Sequence, residues 1–359
     1  MIMDYKTSVT TILDIAVREN ASDVHFTAGR QPSIRVNGEL LPLVNEQALS
    51  AEDTLAIAKE MIGPERIVKL EEHSEVDFAY SAEATKTVGA RFRGNAYFQR
   101  GALSIALRYI PAQIPGFETL NLPAILKEFC YRPQGFFLVV GPVGQGKTTT
   151  LAAMIEFINS DRAEHIVTIE DPIEYLFESK RSIVDQREIG FDTKSFPSAL
   201  KSIFRQDIDV AMIGEMRSPT TIAITVTAAE TGHLIFSTLH TNNAAQTIDR
   251  IIDSFPGQQQ NQIRLQLASS LLGVFSQRLL PRVSGGLIPA YELLINNNAV
   301  ANLIREGRTN EINIVIETGA QDGMIDLNHS LISLVQQGEI AVETARAQAI
   351  DLRAFERLL

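Results

Sequence analysis

The stretch Gly135 to Thr150, GFFLVVGPVGQGKTTT, constrains the fold more than any other, because a Gly-x-x-x-x-Gly-Lys-Thr loop stands between a strand pattern and a helix pattern. Phe136, Phe137, Leu138, Val139 and Val140 form a short β-favouring run, and Leu151, Met154, Ile155 and Ile158 recur at helical spacing. The pattern predicts a loop turned towards phosphate at a helix N-terminus. Gly141, Gly144 and Gly146 let backbone N–H groups converge on phosphate oxygens, Lys147 reaches the β and γ oxygens, and the Thr148 hydroxyl suits Mg²⁺. With Gln145 and Thr149 these residues form the nucleotide-binding run. The setting reads as a nucleoside triphosphatase rather than a glycine-rich turn.

A chain of 359 residues suggests about two or three domains. Its apolar share is 45%, no run approaches membrane-spanning length, and MIMDYKTSVT has neither the basic start nor the apolar core of a signal peptide, so a cytoplasmic protein is expected. The single cysteine, Cys130, excludes an internal disulfide and a multi-thiolate zinc site, and its helical, apolar setting predicts a small buried hydrophobe. A net charge of −11 argues against a broad nucleic-acid-binding face and so against a DNA translocase.

Residues 1–110 read as an α+β domain. A helix carries Val9, Ile12, Leu13, Ile15 and Ala16, a strand runs over 23–27, and Asn37-Gly38 marks a hairpin turn within 32–43. Ser50, with Asp53 three residues on, predicts a capped helix over 51–62, and strands follow at 75–80, 88–99 and 102–110. The proline-rich 111–123 is the expected linker, and 124–359 the second domain. There, strands at 135–140, 165–169, 209–213 and 234–239 alternate with helices at 147–159, 197–206 and 219–230, which predicts a largely parallel, helix-covered sheet. Beyond about residue 255 the pattern is mainly helical, interrupted by a strand at 287–295.

Polar groups at the carboxyl ends of these strands are the candidates for chemistry. One strand runs into Glu170-Asp171-Pro172 and another into Gly214-Glu215, and either glutamate suits polarising water or holding metal. His240 opens His-Thr-Asn-Asn at a strand's carboxyl end, whereas His233 lies at the opposite end, where a structural role is more expected. Arg91, Arg93, Arg100 and Arg108 concentrate in the first domain, where they form either a solvated ion-paired face or a source of transition-state charge for a neighbouring subunit.

Taken together, ASDVHFTAG (21–29), RVNGEL (35–40), the phosphate loop, TIEDPIEY (168–175), VDQREIG (184–190), IGEMRSPTTI (213–222) and AAETGHLIFSTLHTNNAAQTIDRIID (228–253) resemble the PilT-type pilus retraction motors of the secretion ATPase superfamily. The resemblance covers nearly the whole chain. It implies an N-terminal PAS-like domain and a RecA-like P-loop domain with a helical C-terminal region, assembled as a homohexamer that hydrolyses ATP with Mg²⁺ at subunit interfaces. It also implies that Glu170 is the general base, that Glu215 serves the metal, directly or through water, together with Thr148, that His233 and His240 form a histidine box, and that Arg93 and Arg108 lie in the region supplying arginines in trans. The expected partner is an inner-membrane pilus platform protein, which would hold the chain at the inner face of the membrane; nucleic acid and zinc are not expected partners. Pilin depolymerisation and twitching motility are the implied output.

Some positions depart from that family. Gln145 stands where serine is usual, Ser218 where aspartate is, and Ile208 where proline is. In the segment linked to retraction, Asn302, Leu303, Ile304, Arg305 and Glu306 keep the pattern, but Ala301 replaces its first arginine. The hydrolytic motifs fit equally an accessory retraction ATPase working beside a paralogous main motor. A low-turnover nucleotide-binding scaffold is the alternative from another class.

Overall fold

In the computed structural model, which describes residues 5–36, 38–82, 90–110 and 113–359, alternating apolar patterns become two sheets in two units. One unit is Met1–Gln113 with Pro172–Leu176, the other Ile114–Asp171 with Phe177–Leu359.

The first unit contains α1 (Tyr5–Arg18), β1 (Asp23–Thr27), β2 (Ser33–Val36), β3 (Glu39–Pro42), α2 (Ala51–His73), β4 (Glu75–Ala82), β5 (Ala90–Gln99) and β6 (Ala102–Ile110). Its sheet is antiparallel in the order β3-β2-β1-β6-β5-β4. From Ala90 to Ala96 every second residue of β5 is buried, Phe92 and Ala96 among them, in a core shared with Ile12 and Leu13 of α1 and Ile57 of α2, as in a sheet covered on one face. Val36 pairs with Glu39 across the hairpin; Asn37 itself, like Val88 and Gly89 of the expected strand and Pro111 and Ala112 of the expected linker, lies outside the described residues. Ser50 forms the anticipated capping box, its Oγ accepting from Asp53 N (3.1 Å) while Asp53 Oδ2 accepts from Ser50 N (2.7 Å). The helix extends beyond the expected end at 62, because Gly63 kinks it at φ 72° and it resumes to His73.

The second unit contains α3 (Leu126–Cys130), β7 (Gly135–Val140), α4 (Lys147–Asp161), β8 (His165–Glu170), β9 (Ile183–Glu188), α5 (Phe196–Ile203), β10 (Val210–Ile213), α6 (Pro219–Glu230), β11 (Leu234–Leu239), α7 (Ala244–Asp253), α8 (Gly257–Ser270), β12 (Leu271–Pro281), β13 (Leu287–Ile295), α9 (Asn298–Glu306) and four further helices ending at Leu358. The sheet order is β13-β12-β7-β11-β10-β8-β9, parallel except for β13. Every residue of β7 is buried: Phe136, Leu138 and Val140 join the core with α5 to α9, and Phe137 stacks on Phe129 of α3 at 4.5 Å between centroids. Burying each such side chain contributes about 1.5–3 kcal/mol, and helices on both faces give the doubly covered α/β architecture of a RecA-like domain.

Two strands depart from the sequence expectation. Leu271–Pro281 forms β12 where a helical continuation was expected, because the short apolar run 271–275 follows directly on α8 and has no period to distinguish a buried strand from a helix. The Ile183–Glu188 strand, β9, is a half-polar strand at the sheet edge, paired in parallel with β8. Cys130 is fully buried, and burial pushes its thiol up to about 12, against the opposing charges of Arg162 and Lys127. No helix among the described residues is long and apolar enough to cross a membrane.

Candidate nucleotide site

The strands β7, β8, β10 and β11 run in parallel register, so the loops that follow Val140, Glu170, Ile213 and Leu239 all emerge at the carboxyl edge of the sheet. The phosphate loop turns immediately after β7 at Gly141, whose φ is 146° and where an added Cβ would lie 2.4 Å from Gln277 O of β12. It enters α4 at Gly146, φ 74°. Gln277 then clasps the loop: Thr150 Oγ1 donates to its Oε1 (2.7 Å), and its Nε2 donates to Gln145 O (2.8 Å). Gln145 completes the clasp with its side-chain oxygen, which accepts from Leu279 N at 2.6 Å. Gly141→Ala is therefore expected to cost about 2 kcal/mol or more, lowering Tm by about 4 °C or more; an unchanged melting curve would contradict this packing.

Lys147 is 7% exposed. Its Nζ donates to Gly141 O (2.9 Å) and Pro142 O (2.8 Å) and lies 3.1 Å from His240 Nδ1. An ammonium only donates, so Nδ1 is the acceptor and the ring proton sits on Nε2, facing Glu215 Oε1 at 3.3 Å. Glu215 Oε2 accepts from Arg217 Nε at 2.8 Å. Burial opposes the charged form of Glu215, but the Arg217 hydrogen bond and charge, with His240 beside it, hold its carboxyl below the usual range. The order Lys147, His240, Glu215, Arg217 thus links the phosphate loop to the ends of β11 and β10.

Glu170 is 3% exposed at the end of β8, where Thr168 Oγ1 donates to its Oε1 at 2.7 Å and Gln186 Nε2 at 3.3 Å. Gly214 of the neighbouring strand end packs against it, a Cβ there falling in ordinary contact, 3.5 Å from Glu170 Cα. The two glutamates occupy adjacent strand ends, Glu215 ion-paired to Arg217 and Glu170 accepting from Thr168 and Gln186. Among the described residues no three His, Cys, Asp or Glu side chains gather for a metal.

A cavity of about 540 Å³ opens beside the loop, lined by Pro142, Gln145, Asn242, Gln246, Arg278 and Gln348 among others. The Asn242–Ala244 turn on its wall is held by Glu292 of β13, whose Oε1 accepts from Ala244 N at 2.7 Å. Burial pushes the Glu292 carboxyl up from 4.5 to about 7; Asp326 adds to the shift, while the Ala244 hydrogen bond and Arg278 oppose it. A folded-state value above the unfolded one means that this group's stability contribution is present below pH 4.5 and lost as pH rises through about 7. Melting temperatures of Glu292→Gln should accordingly fall less steeply than wild type across that window, and parallel profiles would contradict the assignment.

Other anticipated residues lie away from this cluster. His233, before β11, bonds Ala228 O through Nδ1 (3.0 Å) and meets the Phe204 ring edge-on, at the opposite end of the strand from the loop. In the first unit Arg93 pairs with Glu174 (3.6 Å) and Arg108 with Asp23 (3.1 Å). Asn302, Leu303, Ile304, Arg305 and Glu306 lie on α9, with Ala301 and Ile304 buried against the core and Glu306 paired to Arg308. Ser218 caps α6 through Thr221 N (3.1 Å), a role that serine and aspartate both fill. Sequence reasoning passed over Gln186, Gln277, Arg278 and Glu292, which lie on the two unanticipated strands and on β13.

Residues 106–352 match the family described as type II/IV secretion system protein. The chain is 40% identical to the "Type IV pilus retractation ATPase PilT" of Pseudomonas aeruginosa, over 95% of this chain and 98% of that one. It is also 40% identical to the "Type IV pilus ATPase PilU" of the same organism, over 97% and 91%. The solved structure described as the pilus retraction motor PilT with bound ADP superposes with a TM-score of 0.90 at 44% identity, covering 97% of this chain and 99% of that one.

Proposed function

This chain belongs to the type II/IV secretion system protein family, and on that premise we propose that it is the ATP-hydrolysing motor that retracts a type IV pilus by driving pilin depolymerisation. The observation that carries the reading is the link from Lys147 Nζ through His240 to Glu215, which joins a phosphate-binding lysine to a charged carboxylate across adjacent strand ends. In the proposed site the glycines of the loop and Lys147 hold the phosphates, and the nucleoside enters the cavity beside Arg278 and Gln348. Mg²⁺ taken by Thr148 and Glu215 supplies neutralisation of β- and γ-phosphate charge. Glu170 is the base that orients the attacking water, and His240, bonded to Lys147, reports the γ-phosphate to β11.

The working form is a homohexamer. Arg93 and Arg108, with 44% and 74% of their side chains exposed, are the candidates to complete a neighbouring subunit's site. Force passes to a membrane platform protein at the pilus base, at the inner face of the cytoplasmic membrane. The equal identity to a relative named PilU favours a second reading, an accessory retraction ATPase. Deleting this gene alone decides between them: loss of retraction with accumulated surface pili identifies the main motor, and persistent retraction identifies the accessory one.

A further inference from the structure

The edge strand β9 places Gln186 where it can govern Glu170. Parallel register sets Gln186 opposite Thr168, and the two-residue period of a strand puts Thr168 and Glu170 on the same face of β8. Gln186 Oε1 accepts from Phe177 N at 2.8 Å. A backbone N–H only donates, so the amide oxygen must face Phe177 and the NH₂ must face the carboxylate, where Nε2 lies 3.3 Å from Glu170 Oε1. Thr168 Oγ1 donates to the same oxygen at 2.7 Å.

We infer that Gln186 is a positioning residue for hydrolysis: with Thr168 it fixes the Glu170 carboxylate in one orientation at the buried end of β8. A carboxylate with only 3% exposure is penalised in its charged form unless donors compensate. Thr168 Oγ1 and Gln186 Nε2 are two such donors, both aimed at Oε1. Phe177 sets which end of the amide is presented, so the donor geometry is fixed by the backbone. The inference rests on Glu170 being the base.

The experiment is a double-mutant cycle on the full chain, measuring kcat and KM for MgATP, with folding checked by thermal melting. Gln186→Leu is expected to lower kcat about tenfold with KM unchanged, because a base displaced by a fraction of its working geometry loses rate rather than binding. In the Glu170→Gln background the same change should cost nothing further, since the group it positions is no longer a base. An equal loss in both backgrounds would show a merely structural role and overturn the inference. So would an unchanged kcat in Gln186→Leu beside a severely impaired Glu170→Gln. Wild-type turnover in Glu170→Gln would instead overturn the base assignment itself. Should Gln186→Leu fail to fold, Gln186→Asn, which withdraws the NH₂ by one methylene while staying polar, must give the same pattern, and Thr168→Val must lower kcat in the wild-type background alone.

Discussion

Glu170→Gln is expected to bind MgATP as the wild type does and to lose roughly 10²-fold or more in turnover. The substitution keeps the shape of the side chain and its acceptor towards Thr168 Oγ1, so the end of β8 keeps its packing against Gly214. It removes the capacity to accept a proton from water. Because Glu215 sits on the neighbouring strand end and is committed to Arg217 and His240, it is poorly placed to substitute as base. Equilibrium binding of a fluorescent ATP analogue and steady-state phosphate release separate the two effects. Weakened binding with proportionate turnover would instead mark Glu170 as part of the phosphate or metal site.

The second large effect belongs to Lys147→Ala, in which both affinity and turnover should collapse. The ammonium donates to Gly141 O and Pro142 O and faces His240 Nδ1, so its removal strips the charge from the loop and leaves these acceptors without their donor. A hydrogen bond to a charged group contributes about 1.5–3 kcal/mol, so loss of the phosphate contact alone weakens binding roughly 10- to 100-fold. Turnover should drop to the level of a no-enzyme blank. Retained affinity would mean that the backbone N–H groups of the loop carry the phosphate unaided.

The loop and the strand-end carboxylates were legible in the sequence because each combines a motif with an unambiguous local pattern. Phe136 to Val140 are followed by Gly141, Gly144 and Gly146, all at positive φ, and at Gly141 an added Cβ would also meet the β12 backbone. β12 itself was hidden for the converse reason, its short apolar start at 271–275 following straight on from α8, and with it went Gln277, the clasp of the loop. Gln186 was hidden by register. VDQREIG was visible as a motif, yet nothing in a linear sequence says that residue 186 lies opposite Thr168. Glu292 shows the same limit, since its burial and its bond to Ala244 follow from the pairing of β13 with β12. His233 was distinguishable from His240 through strand direction alone, one preceding β11 and the other following it.

The most direct test of the account is steady-state hydrolysis of MgATP by the purified wild-type chain, at concentrations where a ring forms, measured beside Lys147→Ala. The account predicts sustained turnover that disappears in the variant. Nucleotide binding by the wild type with no turnover above the Lys147→Ala level would contradict it and identify the chain as a nucleotide-binding subunit of another motor.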